Sequence, residues 1–178
     1  MDIVRRAQAI LLKPKEEWPR IKAEASTTAG LFTSYAMVLA AIPAASKFLG
    51  ETIIRPALYV KFNPWKGVGL ALVKSLLTYL FLLTAVYIFG WIINALAPSF
   101  SSPKNIVSAM KLAVYSMTPI WLVGVLALYP SNTLLIMVVS LTIAFGAVAS
   151  GLYILYCGFL ASTMGTPRDR IAGFMAVC

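Results

Sequence analysis

The chain has 178 residues, of which 60% are hydrophobic and only 12% charged, and it carries a net charge of +9 without a single histidine. Soluble domains average about 25% charged residues, so this composition excludes an ordinary water-soluble fold, and the length leaves room for one membrane domain. The basic residues form no stripe and flank apolar stretches, which points to membrane topology and away from nucleic acid.

Residues 1–24 read as a basic amphipathic arm. Ile3, Val4, Ala7, Ile10 and Leu11 recur at helical spacing, with Arg5, Arg6 and Gln8 elsewhere, as in a short helix lying on a membrane. Lys13-Pro14 ends that helix, and PKEEWPRIKAE mixes charges around Trp18, a residue type that favours the headgroup layer. The arm is expected to pack on the bundle or the lipid surface, or to dock a protein partner. Asp2 to Leu12 is too mixed in polarity for a secretory leader, so the first span is expected to act as its own targeting signal.

Residues 25–178 read as an all-α, polytopic transmembrane helical bundle with spans of about 25–50, 68–97, 106–129 and 133–162 and an apolar stub at 171–178. In the first span Ala36, Ala40 and Ala44 repeat every fourth residue, so another helix can approach closely there, and Pro43 bends its end. The connection between Lys47 and Lys74 is expected to be irregular or interfacial, since Arg55 and Pro56 interrupt it. Ser75 to Ala97 is charge-free and reaches roughly 34 Å as a helix, enough to cross a hydrocarbon core of about 30 Å; the other spans are expected to pack around it. Lys74 and Lys111 sit near span ends, where they can snorkel. The third span holds Thr118-Pro119 near its middle, a kink in which the threonine hydroxyl helps to satisfy freed backbone groups, or a hinge. In the fourth, Gly146 with Ser150 and Ala147 with Gly151 make two overlapping small-residue pairs, suited to packing within the chain or in a homo-oligomer.

Chemistry is scarce. All six carboxylates lie outside the spans, and between Lys111 and Arg168 the chain carries no charge. Metal-dependent hydrolysis needs clusters of His, Cys or carboxylate and proton pumping a carboxylate or His in the bundle, whereas the spans offer only Ser, Thr, Tyr, Asn94 and Cys157. Ser75 or Ser108 beside Lys74 or Lys111 is a weak nucleophile–base candidate, because snorkelling already explains each lysine. Gly67 to Gly69 lacks the context of a phosphate loop. Asn94, Tyr87 and Tyr115 either bond between helices or line a hydrophilic path. No catalytic, cofactor or metal site is expected.

Orientation follows from lysine and arginine counts: nine on the side of the N-terminus against four on the other, placing the N-terminus in the cytoplasm.

Several stretches together resemble the bacterial branch of the Yip-one (Ypt-interacting protein) family: PKEEWPRIKAE in the arm, VLAAIPAASKFLG in the first span, YSMTPIWLVGVLALYP in the third, and GLYILYCGFLASTMGTPRDR leaving the fourth. The strongest piece is Tyr115, Thr118, Pro119, Gly124, Leu128 and Pro130. The resemblance implies a multi-pass protein of the bacterial inner membrane with five spans and a cytoplasmic N-terminus. Here the fifth span is present only as its first eight residues, as in a shortened member or a cut chain. The DLYGP-type motif of the eukaryotic members is absent, so Rab binding is not implied, and no settled activity comes with the bacterial branch. The expectation is a non-enzymatic scaffold or adaptor, with an oligomeric channel or transporter for a small solute or ion as the alternative. Its partners would be the bilayer, a second copy, and an unidentified protein reached through the arm.

Overall fold

The structure is a computed structural model that describes residues 2–58, 67–129, 134–161 and 163–178, and all its regular elements are helical. Two short helices, α1 (Ile3–Leu12) and α2 (Pro14–Ala23), form the arm. Asp2 caps α1 through the Val4 and Arg5 amides, and Pro14 opens α2 at its first position, where a proline loses no hydrogen bond. PKEEWPRIKA is thus a helix in its own right, with Pro14, Glu17, Trp18 and Ile21 buried on one side.

Four helices are long and apolar enough to cross a bilayer: α3 (Thr28–Ala57), α4 (Val68–Phe100), α5 (Ile106–Leu128) and α6, whose apolar stretch is Ile136–Leu160 within Leu134–Leu160. A seventh helix, α7 (Ile171–Val177), follows. α3 runs on through Lys47, Glu51 and Arg55 where an irregular connection was expected. Its polar groups find partners on α4: Lys47 on Thr78, Glu51 on Lys74. Two wide π turns, Phe32–Ala36 and Gly50–Ile54, carry the helix forward. Pro130, the end of the strongest resemblance segment, lies outside the described residues, as does the PW of the connection before α4.

The centre of the bundle is α5, and not the stretch Ser75 to Ala97. Half of the apolar part of α5 is buried inside the protein, compared with 17% for α4. The physical reason is side-chain size. Gly90 of α4 lies against Met110, Gly124 against Pro43, and Gly151 of α6 against the Ser116 carbonyl, so α5 is approached closely from three sides. α4 instead keeps Leu76, Leu80, Phe81 and Ile88 outward, as a lipid-facing helix should. Ala36, Ala40 and Ala44 are buried on the face of α3 toward the bundle, and a side chain at Gly50 would meet the Ala127 carbonyl at 2.6 Å. The two pairs in α6 part company: Ala147 and Gly151 are buried, whereas Gly146 and Ser150 face outward with open space beside Gly146.

The chain closes at the arm's end of the bundle. Ser102 bonds Thr166 at 2.7 Å, and Phe174 of α7 is fully buried, stacked on Phe100 at 4.6 Å and tilted against Phe159 at 4.8 Å.

Candidate functional site: a buried polar junction beneath the arm

The arm is seated by one large side chain. Trp18 is fully buried, and its indole N–H donates to the Ile154 carbonyl at 2.8 Å. The seat exists because position 158 is glycine: a Cβ there would lie 2.7 Å from the indole ring. Tyr115 meets Trp18 edge-on at 6.0 Å. Trp18 is thus enclosed by protein, with α6 and α5 supplying its apolar walls and α6 its acceptor.

Charge completes the junction. Arg6 is buried on the face of α1 that carries Ala7 and Ile10, and its guanidinium pairs with Glu17 of α2 and with Glu24 just beyond it. Arg20 adds a second cation to Glu17 at 3.3 Å. A buried ion pair of this kind holds only while every partner is present, because each charge alone would be stranded in a poorly solvating site. Arg6 was not placed on the buried side by the apolar spacing, and Val4, which was, is 64% exposed.

Lys111 reaches toward the arm. Its ammonium donates to the Ile21 and Glu24 carbonyls, each at 2.7 Å, and the side chain is buried. Those carbonyls belong to the last turn of α2 and its cap, where acceptors lack helical donors and the helix dipole is negative. α5 is thereby pinned to the end of α2. Lys74, by contrast, lies at the other end of the bundle beside Glu51 at 3.5 Å.

Next to the junction the third span breaks. Pro119 leaves the Tyr115 carbonyl without its helical donor, and the Thr118 hydroxyl donates to that oxygen at 2.8 Å. Thr118 also shares a hydrogen bond with the Tyr35 hydroxyl at 3.0 Å, and the rings of Tyr35 and Tyr115 lie 4.8 Å apart. Beside Glu24 and Tyr115 a cleft of about 810 Å³ opens, lined by Ser26, Thr27, Thr33 and Ser34. Pro43 and Gly124 belong to a different contact, where α3 crosses the far end of α5.

The nucleophile–base candidates do not meet. Lys111 is engaged by carbonyls, Lys74 by Glu51, the Ser108 amide donates to the Asn105 side chain, and the Ser75 hydroxyl is buried without a partner among the described residues. Tyr87 is 44% exposed on α4, and Asn94 is half-buried with its side-chain oxygen unpartnered among the described residues. Among the described residues no three His, Cys, Asp or Glu side chains come together as a metal site. Cys157 and Cys178 are free thiols, and burial pushes the Cys178 thiol up to about 11.

Four apolar spanning helices sharing one core, with an arm folded onto one end, define an integral α-helical membrane protein. The chain belongs to the Yip1 domain family, whose model matches residues 9–178. It is similar to the inner membrane protein YohC of Escherichia coli strain K12 and to the protein of the same name from Escherichia coli O6:H1. Each is 30% identical over 121 residues, covering 66% of this chain and 60% of the relative. The chain thus spans about 60% of the length of the curated relatives it matches. No solved structure matches it.

Proposed function

We propose that this protein is a non-enzymatic scaffold or adaptor of the bacterial inner membrane, with its N-terminus in the cytoplasm, and that it acts through the outer face of the arm. The observation that carries this reading is the seating of the arm. With Trp18 in its slot, Arg6 neutralised and α2 pinned by Lys111, the outward side chains of α1 and α2 stand on a rigid support. Arg5, Lys13, Lys15, Glu16 and Arg20 then form a fixed, exposed, largely basic surface at one end of the bundle. A surface ordered in advance loses less entropy when a partner docks, which favours recognition. The positive-inside bias supports the cytoplasmic orientation, and the inner-membrane relatives support the compartment.

The polar groups beside the kink in α5 favour the scaffold over a pore. Tyr35, Thr118 and the Tyr115 carbonyl bond one another, as polar groups do when they hold helices together.

The test is site-specific photo-cross-linking from positions 15 and 20 in native membranes. The expected result is a discrete protein adduct that disappears when Trp18→Ala unseats the arm. Adducts to lipid alone, or adducts indifferent to the seating, would overturn the adaptor reading. Thiol labelling of a cysteine placed at position 2 in right-side-out vesicles would overturn the orientation.

A further inference from the structure

At the end of the bundle away from the arm, α3 and α4 each bring a lysine to one notch. Lys47 is half-buried and donates to the Thr78 hydroxyl at 3.2 Å, while Lys74 lies 3.5 Å from Glu51. Together with Leu77, Thr78 and Phe81 they line an open notch of about 320 Å³.

Its depth follows from helix geometry. Lys47 stands roughly 29 Å along α3 from Thr28, about one hydrocarbon thickness, so with Thr28 at one boundary Lys47 reaches the other. On α4 the spacing of Lys74, Leu77 and Phe81 keeps them on one face, with Leu77 roughly 4.5 Å and Phe81 roughly 10 Å deeper than Lys74. Leu77 and Phe81 are both well exposed. The notch is cationic at headgroup level and apolar beneath, which is the profile of a phospholipid turned inside out.

Charge narrows the ligand. Two ammoniums and the Glu51 carboxylate leave one positive charge, and among the described residues no carboxylate pairs with Lys47. A half-buried cation at the bilayer edge draws its counter-ion from its surroundings, and the anion available at that depth is a lipid phosphodiester. We propose that this notch binds one anionic phospholipid of the phosphatidylglycerol class, its phosphate between the Lys47 and Lys74 ammoniums and an acyl chain along Leu77 and Phe81. An ethanolamine lipid fits less well, because its own ammonium would join two others.

Native mass spectrometry of the full chain in detergent, titrated with phosphatidylglycerol or phosphatidylethanolamine, tests this. The expected result is one saturable phosphatidylglycerol adduct, with the ethanolamine lipid roughly tenfold weaker, the scale of one charge-assisted hydrogen bond. Lys47→Gln with Lys74→Gln should weaken the adduct at least about tenfold, and the milder Lys47→Gln alone about fivefold. Removing two arm charges, Lys13→Gln with Lys15→Gln, should change it less than about twofold. Equal binding of the two lipids, an unchanged adduct in Lys47→Gln, or an equal loss in the arm variant would overturn the proposal. Complete displacement of the lipid by millimolar glycerol phosphate would also overturn it, since the site would then be one for a free phosphate.

Discussion

Removal of the Trp18 side chain should release the arm while leaving the bundle inserted. Truncating a fully buried tryptophan to alanine costs about 3–5 kcal/mol, and the lost indole hydrogen bond to Ile154 adds about 1 kcal/mol. Taking about 4 kcal/mol as the loss of docking free energy, the undocked population rises roughly a thousandfold, at 1.4 kcal/mol per factor of ten. Limited trypsin digestion in mild detergent reads that population directly when reclosing is faster than cleavage. The bonds after Lys15, Arg20 and Lys22 lie in α2 and become cleavable only when it detaches, whereas Lys13 precedes Pro14 and resists trypsin either way. Cleavage after Arg168 and Arg170, which lie in the polar turn before α7, serves as the internal reference. Trp18→Ala should accelerate arm cleavage by two to three orders of magnitude relative to that reference. Trp18→Phe keeps a ring but no donor and should give about fivefold, the equivalent of one hydrogen bond. An arm rate within threefold of the unaltered protein in Trp18→Ala would refute the claim that this side chain holds the arm.

The same logic extends to the charges: Arg6→Met should destabilise the docked arm by about 3 kcal/mol, the lower end for a broken buried pair, because buried Glu17 then keeps only the exposed Arg20, and adding Glu17→Leu should recover most of that loss in the trypsin assay. Lys111→Met should free the end of α2 and raise cleavage after Lys22 more than after Lys15. For the helix crossings, Gly124→Ala and Gly50→Ala should each cost about 1–3 kcal/mol by overpacking, read as a lower melting temperature in detergent, while Gly146→Ala, with open space around it, should leave melting unchanged. Thr118→Val should lose about 1–2 kcal/mol with its two hydrogen bonds, and Thr118→Ser should retain them; equal melting of the two would remove the hydroxyl from the account of the kink.

Much of the architecture can be read from the sequence because lipid as a solvent imposes simple requirements. A charge-free run of sufficient length becomes a spanning helix, and Ala36, Ala40, Ala44, Gly151 and Pro119 announce close approach or a break whatever lies opposite. What lies opposite is not written locally. Gly146 and Gly151 belong to the same kind of pair, yet only Gly151 meets a neighbour, and the choice depends on which face of α6 turns toward α5. The junction beneath the arm is the larger gap. Trp18, Arg6 and Lys111 each have a sufficient explanation as interfacial residues when taken singly, and their partners are distant in the chain: Lys111 bonds a carbonyl 90 residues away. A usable signal does exist in the arm. An arginine adjoining Ala7 on the face of α1 that continues to Ile10, followed by Glu17 next to a tryptophan, is a charge that needs a carboxylate brought to it by a second helix. The extension of α3 past Lys47 was hidden by the ordinary rule that charges end a span, which fails where a neighbouring helix supplies Thr78 and a countercharged pair.

The hydrogen bond from Trp18 joins residues 136 positions apart, so the arm is synthesised well before the pocket that receives the indole. At translation rates of about 5–20 residues per second, the arm emerges roughly 7–27 s before its seat. For that interval the nascent protein, whose Arg6 has its partners Glu17 and Glu24 within the arm itself, exhibits a bare indole to whatever insertion factors or lipids surround the ribosome. A chain arrested before Ile154 should accordingly keep a protease-sensitive N-terminus, and the moment of protection would mark completion of the fourth crossing.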